Sequence, residues 1–225
     1  MKTEQLNLEF RPDIWKKTYC WDEEPVLSCS LALPVFSKAA NRAGQRIARY
    51  YIHLGQWLRS GWEHQVFPAA CAALQAARDA SLPFQPYEET VAFQVTKNSG
   101  GLFSLYWDSY WYTGGAHGMT ARWGDVWSLK TGCPMTMREF FPPRTDLKKR
   151  LPELAARQAG EAIAAGTSWY YEDYPERLRA EFDLKRFYLT EEALSFFYPL
   201  YAAAPYAEGI PTFTVPMKEG RALLP

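Results

Sequence analysis

A chain of 225 residues with 48% hydrophobic side chains can bury a substantial core, as one large domain or two small ones, and is too apolar to be disordered. Twenty-five basic residues balance twenty-five acidic ones, so no net field draws the chain to nucleic acid or to an anionic membrane. Met1 to Phe10 alternates polar residues with Leu6, Leu8 and Phe10 and holds no apolar run suited to export or membrane insertion. As written the chain is expected in the cytoplasm; loss of an upstream export segment would make it extracytoplasmic.

The elements follow in order. Ile14 to Trp21 and Val26 to Phe36 read as strands around the turn-forming Asp22-Glu23-Glu24-Pro25. A long amphipathic helix comes next. Ser37 is its expected N-cap, with Ile47, Tyr50, Tyr51, Leu54, Trp57, Leu58, Gly61 and Trp62 toward a sheet and Arg42, Arg46, Arg49, His53, Gln56 and Arg59 toward water. Pro68 kinks or restarts this helix, and Ala69, Ala70, Ala73, Leu74 and Ala77 then form a small-residue face.

Glu88 to Lys97 and Gly101 to Tyr112 are predicted strands joined at Asn98-Ser99-Gly100. In the second of them Phe103, Leu105, Trp107 and Trp111 share one face, while Ser104, Tyr106, Asp108, Tyr110 and Tyr112 share the other. The Gly114-Gly115 turn precedes a strand from Thr120 to Leu129. Thr136 and Glu139 have capping-box spacing for a short helix that Pro142-Pro143 stops. A further helix carries Leu147, Leu151, Leu154, Ala155, Ala159, Ala162 and Ile163, with Pro152 a possible restart and Gly166 its end. Phe187 to Leu189, Leu194 to Tyr198 and Thr212 to Met217 close the chain as short strands. The expected class is α+β, with mostly antiparallel sheets, one long amphipathic helix and a second helical segment packed on them. Subdomain limits are placed at 1–115 and 116–225.

Cys20, Cys29, Cys71 and Cys133 form no CxxC pair, and three histidines are too few to complete a zinc site, so no metal and no cofactor are expected. Cys29 and Cys71 read as small core residues; Cys20 and Cys29 would face each other only across adjacent strands of an exported chain. His117, with Asp108 or Asp125, offers a conceivable general base, but a histidine beside glycines more often ties down its loop. The acidic pairs, Glu88-Glu89 among them, read as solvated or as helix-end charges, since strand neighbours point to opposite faces.

Four ordered motifs carry a resemblance. Tyr112-Thr113-Gly114-Gly115-Ala116-His117-Gly118, Trp127 to Gly132, Phe187-Tyr188-Leu189-Thr190 and Ala204 to Pro211 are together similar to the RsiV C-terminal family. That family occurs in lysozyme-sensing anti-sigma factors and in PdaC-type peptidoglycan deacetylases, usually behind a small domain resembling residues 26–112. The resemblance implies a module of the bacterial envelope that binds, with a lysozyme-like protein or a cell-wall glycan as partner. No transmembrane helix or deacetylase domain accompanies the motifs, so neither sigma signalling nor deacetylation carries over.

The aromatic excess is the residue-level lead to binding, because rigid amphipathic rings dominate interfaces and stack on sugars. Tyr110, Tyr112, Trp169, Tyr170, Tyr171, Tyr201 and Tyr206 are the rings expected at the surface. In the loop from Tyr201 to Gly209, Pro205 stiffens the backbone that presents Tyr206. The expected binding set is Tyr201, Pro205, Tyr206, Tyr110 and Tyr112, with Gly114, Gly115, His117 and Gly118 as the bracing turn. A cell-wall hydrolase built on His117 and a carboxylate, and an intracellular interaction domain, are the alternatives.

Overall fold

The computed structural model describes residues 7–37, 41–218 and 220–224. The sequence-stretch Met1 to Leu6 at the start of the amino-terminal alternation lies outside them. Strands β1 (Phe10–Trp21) and β2 (Glu24–Phe36) form a hairpin. Its tip is Asp22-Glu23, both left-handed at φ 49° and 67°, which matches the twist of the flanking strands.

Helix α1 (Arg42–Gly61) is capped by Asn41, whose side chain accepts from the Gly44 N–H at 2.9 Å. Ser37, the expected cap, instead donates its N–H to the Glu9 carbonyl. The buried line of the helix runs through Ala43, Gly44, Ile47, Tyr51 and Gly55. Tyr50 and Trp57, expected to face the sheet, are exposed, Trp57 at 70%. Small residues explain the rotation: Gly55 rests so close to β2 that a Cβ there would stand 3.3 Å from Leu33. The helix backbone therefore settles along its glycines, and the large rings move to the rim.

One π turn, Trp62–Val66, joins α1 to α2 (Phe67–Asp79). The Phe67 N–H reaches back to the Trp62 carbonyl, and Pro68, lacking an N–H, stands at the start of α2. Of the predicted small-residue face, Ala70 and Leu74 are fully buried.

This helical crossover returns the chain to β3 (Tyr87–Ser99), which pairs with β2 in parallel; β4 (Leu102–Tyr112) and β5 (Met119–Ser128) add antiparallel to it. The β3–β4 turn is Gly100-Gly101 at φ 61° and 76°, one residue later than the predicted site, since only those two positions demand left-handed backbone. The sheet order is β1-β2-β3-β4-β5.

After a 3₁₀ turn (Met137–Phe140) held by the Thr136/Glu139 capping box comes α3 (Leu147–Ala164). Pro152 does not divide α3; the carbonyl it leaves unbonded belongs to Lys148, on the exposed first turn. Gly166, at φ 68°, follows the last turn, where its N–H bonds Ile163 and that of Thr167 bonds Ala162. A short helix, α4 (Tyr174–Ala180), is not among the expected elements, although Pro175 and Glu176 at its start and Arg179 at its end are helix signals. Strands β6 (Phe187–Leu189), β7 (Ala193–Phe197), β8 (Thr212–Lys218) and β9 (Arg221–Ala222) form the second sheet in that order.

Two hydrophobic cores result. One lies between α1–α2 and the first sheet and includes Val26, Leu27, Ile47, Leu74, Phe103 and Leu105. The other gathers α3, α4 and the second sheet around Leu151, Leu178, Leu194, Phe196 and Tyr198. Strands β4 and β5 serve both, because alternate residues point each way: Phe103 and Trp127 to the first core, Val126 to the second. At the junction Ser104 Oγ accepts the Leu189 N–H at 2.8 Å, and Tyr106 meets Tyr188 at 5.0 Å between centroids.

All four cysteines are free thiols. Cys20 lies opposite Pro25 and Cys29 opposite Lys17, so the facing pair that the sequence permits does not form. Burial pushes the Cys29 thiol up to about 12, with the Glu89 charge adding, which makes it an inert core group. Among the described residues no cluster of metal-ligating side chains occurs, and no helix is long and apolar enough to cross a membrane.

Candidate binding site

The stretch from Tyr110 to Gly118 ends β4 and turns into β5. Gly114 and Gly115 adopt φ 97° and 98°, and the reversal returns Gly118 against the Tyr110 ring. That approach requires glycine: a Cβ on Gly118 would lie 2.3 Å from the ring. His117, next to it, bonds through Nδ1 with the Gly118 carbonyl at 2.8 Å, which leaves Nε2 pointing away from the main chain.

The loop after β7 meets that histidine. Ala202, Ala203 and Ala204 are buried in the second core and the Ala203 carbonyl accepts the Tyr171 N–H, so the loop has a fixed base. Tyr201, at φ 64°, aims its hydroxyl at His117 Nε2, 3.0 Å away. Pro205 precedes a 3₁₀ turn, Tyr206–Glu208, and Gly209 ends it at φ 70°. The Tyr206 ring stacks on the imidazole with centroids 4.2 Å apart and planes 24° off parallel. Tyr201 and Tyr206 are themselves 5.8 Å apart. The Tyr110 ring, against which Gly118 packs, belongs to the same group, and desolvation first, then Glu88, Tyr206 and Tyr112, pushes its phenol up.

Thus the structure gathers Tyr110, His117, Gly118, Tyr201, Pro205 and Tyr206, and it sends Tyr112 elsewhere. The Tyr112 hydroxyl donates to Gln85 at 2.5 Å, on a separate groove with Phe84 and Gly114. Tyr201 is 37% exposed, while Tyr110 and Tyr206 are half-buried. Trp169 is largely in water, 75% exposed.

Beside the cluster, at the β5 edge, opens a cleft of about 280 Å³ lined by Trp111, Arg122, Trp123, Arg186, Tyr198 and Leu200 among others. Sequence reasoning passed over it, since its walls come from both sheets. Trp123 presents an outer face, its inner one stacked on Trp107 at 4.3 Å. Tyr198 Oη is one of two buried side-chain polar atoms without a hydrogen bond among the described residues; Trp107 Nε1 is the other.

The carboxylates suggested for His117 have other partners. Asp108 takes both Arg122 nitrogens at 2.7 Å, and Asp125 accepts from the Tyr51 hydroxyl at 2.9 Å. Burial raises the Asp125 pKa to about 6 against the opposing Tyr51 bond. On the helix side, Glu89 is only 9% exposed and bonded by the Trp62 indole N–H at 3.0 Å. Its neighbour Glu88 faces water, as strand alternation requires.

Residues 21–120 match the family model described as Deacetylase PdaC, and residues 138–218 match that described as Protein of unknown function (DUF3298). A crystal structure of a DUF3298-family protein from Bacteroides fragilis superposes with a TM-score of 0.69, at 20% identity over 95% of this chain and 92% of its own. The fold is shared with DUF3298-family proteins. A second such structure, from Pseudomonas aeruginosa PAO1, has a TM-score of 0.56 at 19% identity, covering 94% of this chain and 90% of its own. No curated protein matches the chain. The DUF3298 match contains the Tyr201–Gly209 loop, and the PdaC match contains Tyr110 and His117, so the aromatic cluster bridges the two matched regions.

Proposed function

We propose that the chain is a non-catalytic recognition module that grips a protein or a cell-wall glycan at the aromatic cluster and the adjoining cleft. One observation carries this reading: His117 and Tyr201, 84 residues apart, lock together with Tyr206, and their chain neighbours Met119 and Leu200 line an open cleft. A braced ring loses little entropy on binding, and clefts between packed units are favoured ligand sites. The resemblance to the RsiV C-terminal family supports an envelope ligand, a lysozyme-like protein first. The bonds of His117 to the Gly118 carbonyl and the Tyr201 hydroxyl support a bracing role over that of a general base.

Titrating the purified chain with lysozyme and, separately, with peptidoglycan fragments tests the proposal. Binding to one of them, weakened about tenfold by Tyr206→Ala with thermal stability retained, is the expected result. Absence of binding to both at roughly 500 µM ligand overturns it.

A further inference from the structure

The buried carboxyl of Glu89 lies outside the aromatic cluster, on the helix-covered face of the first sheet. A cleft of about 280 Å³ opens onto it, lined by Trp57, Leu58, Ser60, Gly61, Trp62, His64, Gln65 and Val66. Its position follows from the fold: β3 pairs in parallel with β2, placing Glu89 beside Cys29, and the π turn swings Trp62 over it. The Trp62 indole occupies Oε2. Oε1 has no protein partner among the described residues, and it is absent from the buried orphans, so it reaches the solvent of the cleft.

The charge balance there is unusual. Glu89 makes no ion pair among the described residues. Lys17 of β1 pairs with Glu63 at 3.8 Å, Arg59 of α1 bonds the Gly55 carbonyl and sits over the Trp15 ring, and His64 completes the titratable groups at the π turn. On β2 the neighbour is the Cys29 thiol. A buried carboxylate is stable when a cation meets it, and none of the described residues supplies one. At the rim, Trp57 offers an indole that is 70% exposed. An indole face and a carboxylate around one small cavity make the two halves of a cation site.

We propose that the cleft between Glu89 and Trp57 binds an organic ammonium group, with the carboxylate as counter-ion and the indole face covering the attached carbons. Binding replaces the missing cationic partner. It also couples to protons: the carboxyl, which burial raises to about 7, must ionise to take the ligand, so affinity rises with pH between about 5.5 and 8.

The 225-residue chain with n-butylammonium chloride as probe gives a direct test, followed by the indole N–H resonance of Trp62, assigned by its loss in Trp62→Phe. A saturable shift with n-butylammonium is expected, absent with n-butanol and with potassium chloride at equal ionic strength. Glu89→Gln retains an acceptor for Trp62 and should abolish the shift, and Trp57→Ala should weaken it about tenfold. An equal response to n-butanol, a response that survives in Glu89→Gln, or no saturable shift up to about 100 mM probe overturns the proposal.

Discussion

The two faces of the first sheet are closed by different means. Toward α1 and α2 the sheet is met mostly through side chains, those of Leu31 and Leu33 under Gly55 included, and the contact tolerates a π turn, exposed rings on the rim, a buried carboxyl, Glu89, and a half-buried one, Asp125. Toward the second sheet the approach is backbone-close. Gly124 leaves so little room that a Cβ would stand 1.9 Å from the Phe187 carbonyl oxygen, and Ser104 is fully buried to satisfy one N–H of β6. The helical face therefore has slack for polar groups and a cavity, whereas the opposite face depends on small residues at fixed positions.

The sharpest way to break this contrast is Gly124→Ala. The obstructing atom is backbone, which cannot swing aside, so destabilisation of about 3 kcal/mol or more is expected in denaturant unfolding. Gly55→Ala, against the flexible Leu33 side chain at 3.3 Å, should cost well under half as much. Comparable losses would abolish the distinction.

Next in size is a pH effect confined to the helical face. The folded-state pKa of Glu89 is raised to about 7 from 4.5, so its favourable share is complete below about pH 4.5 and is lost as pH rises through 7. Asp125, raised to about 6 from 3.8, acts in the same direction over a lower window. Glu89→Gln should remove its part of the slope, gaining roughly 3 kcal/mol on wild type at pH 8 relative to pH 4. An unchanged slope in urea titrations across that range would place the ionising group elsewhere.

Ser104→Ala comes next. It orphans the Leu189 N–H at the junction, for a loss of about 2 kcal/mol, and Ser104→Thr should not restore it in so tight a space. A neutral outcome would show that the junction can relax.

Much of this architecture was legible before any coordinates. Glycines and prolines mark the turns, and period-two alternation through Phe103, Leu105 and Trp107 separates the two faces of β4. The pairing of Tyr201 and Tyr206 with His117 was half-visible, in that the residues stood out but their contact did not. Signals that fail are those set by distant contacts. Trp57 has helical spacing yet lies outside because Gly55 fixes the helix rotation. Glu89 looks like any strand carboxylate until a crossover of two helices places it beneath Trp62. The cleft at Trp123 and Tyr198 draws its walls from both sheets, so no local pattern announces it.

Tyr201 holds a left-handed backbone at φ 64°, a conformation that disfavours an L side chain by about 1 kcal/mol. Glycine would relax there, so the phenol persists against a standing local penalty. The left-handed turn sets where the side chain leaves the loop, and the 3.0 Å hydrogen bond to His117 Nε2 is what holds the phenol at its end.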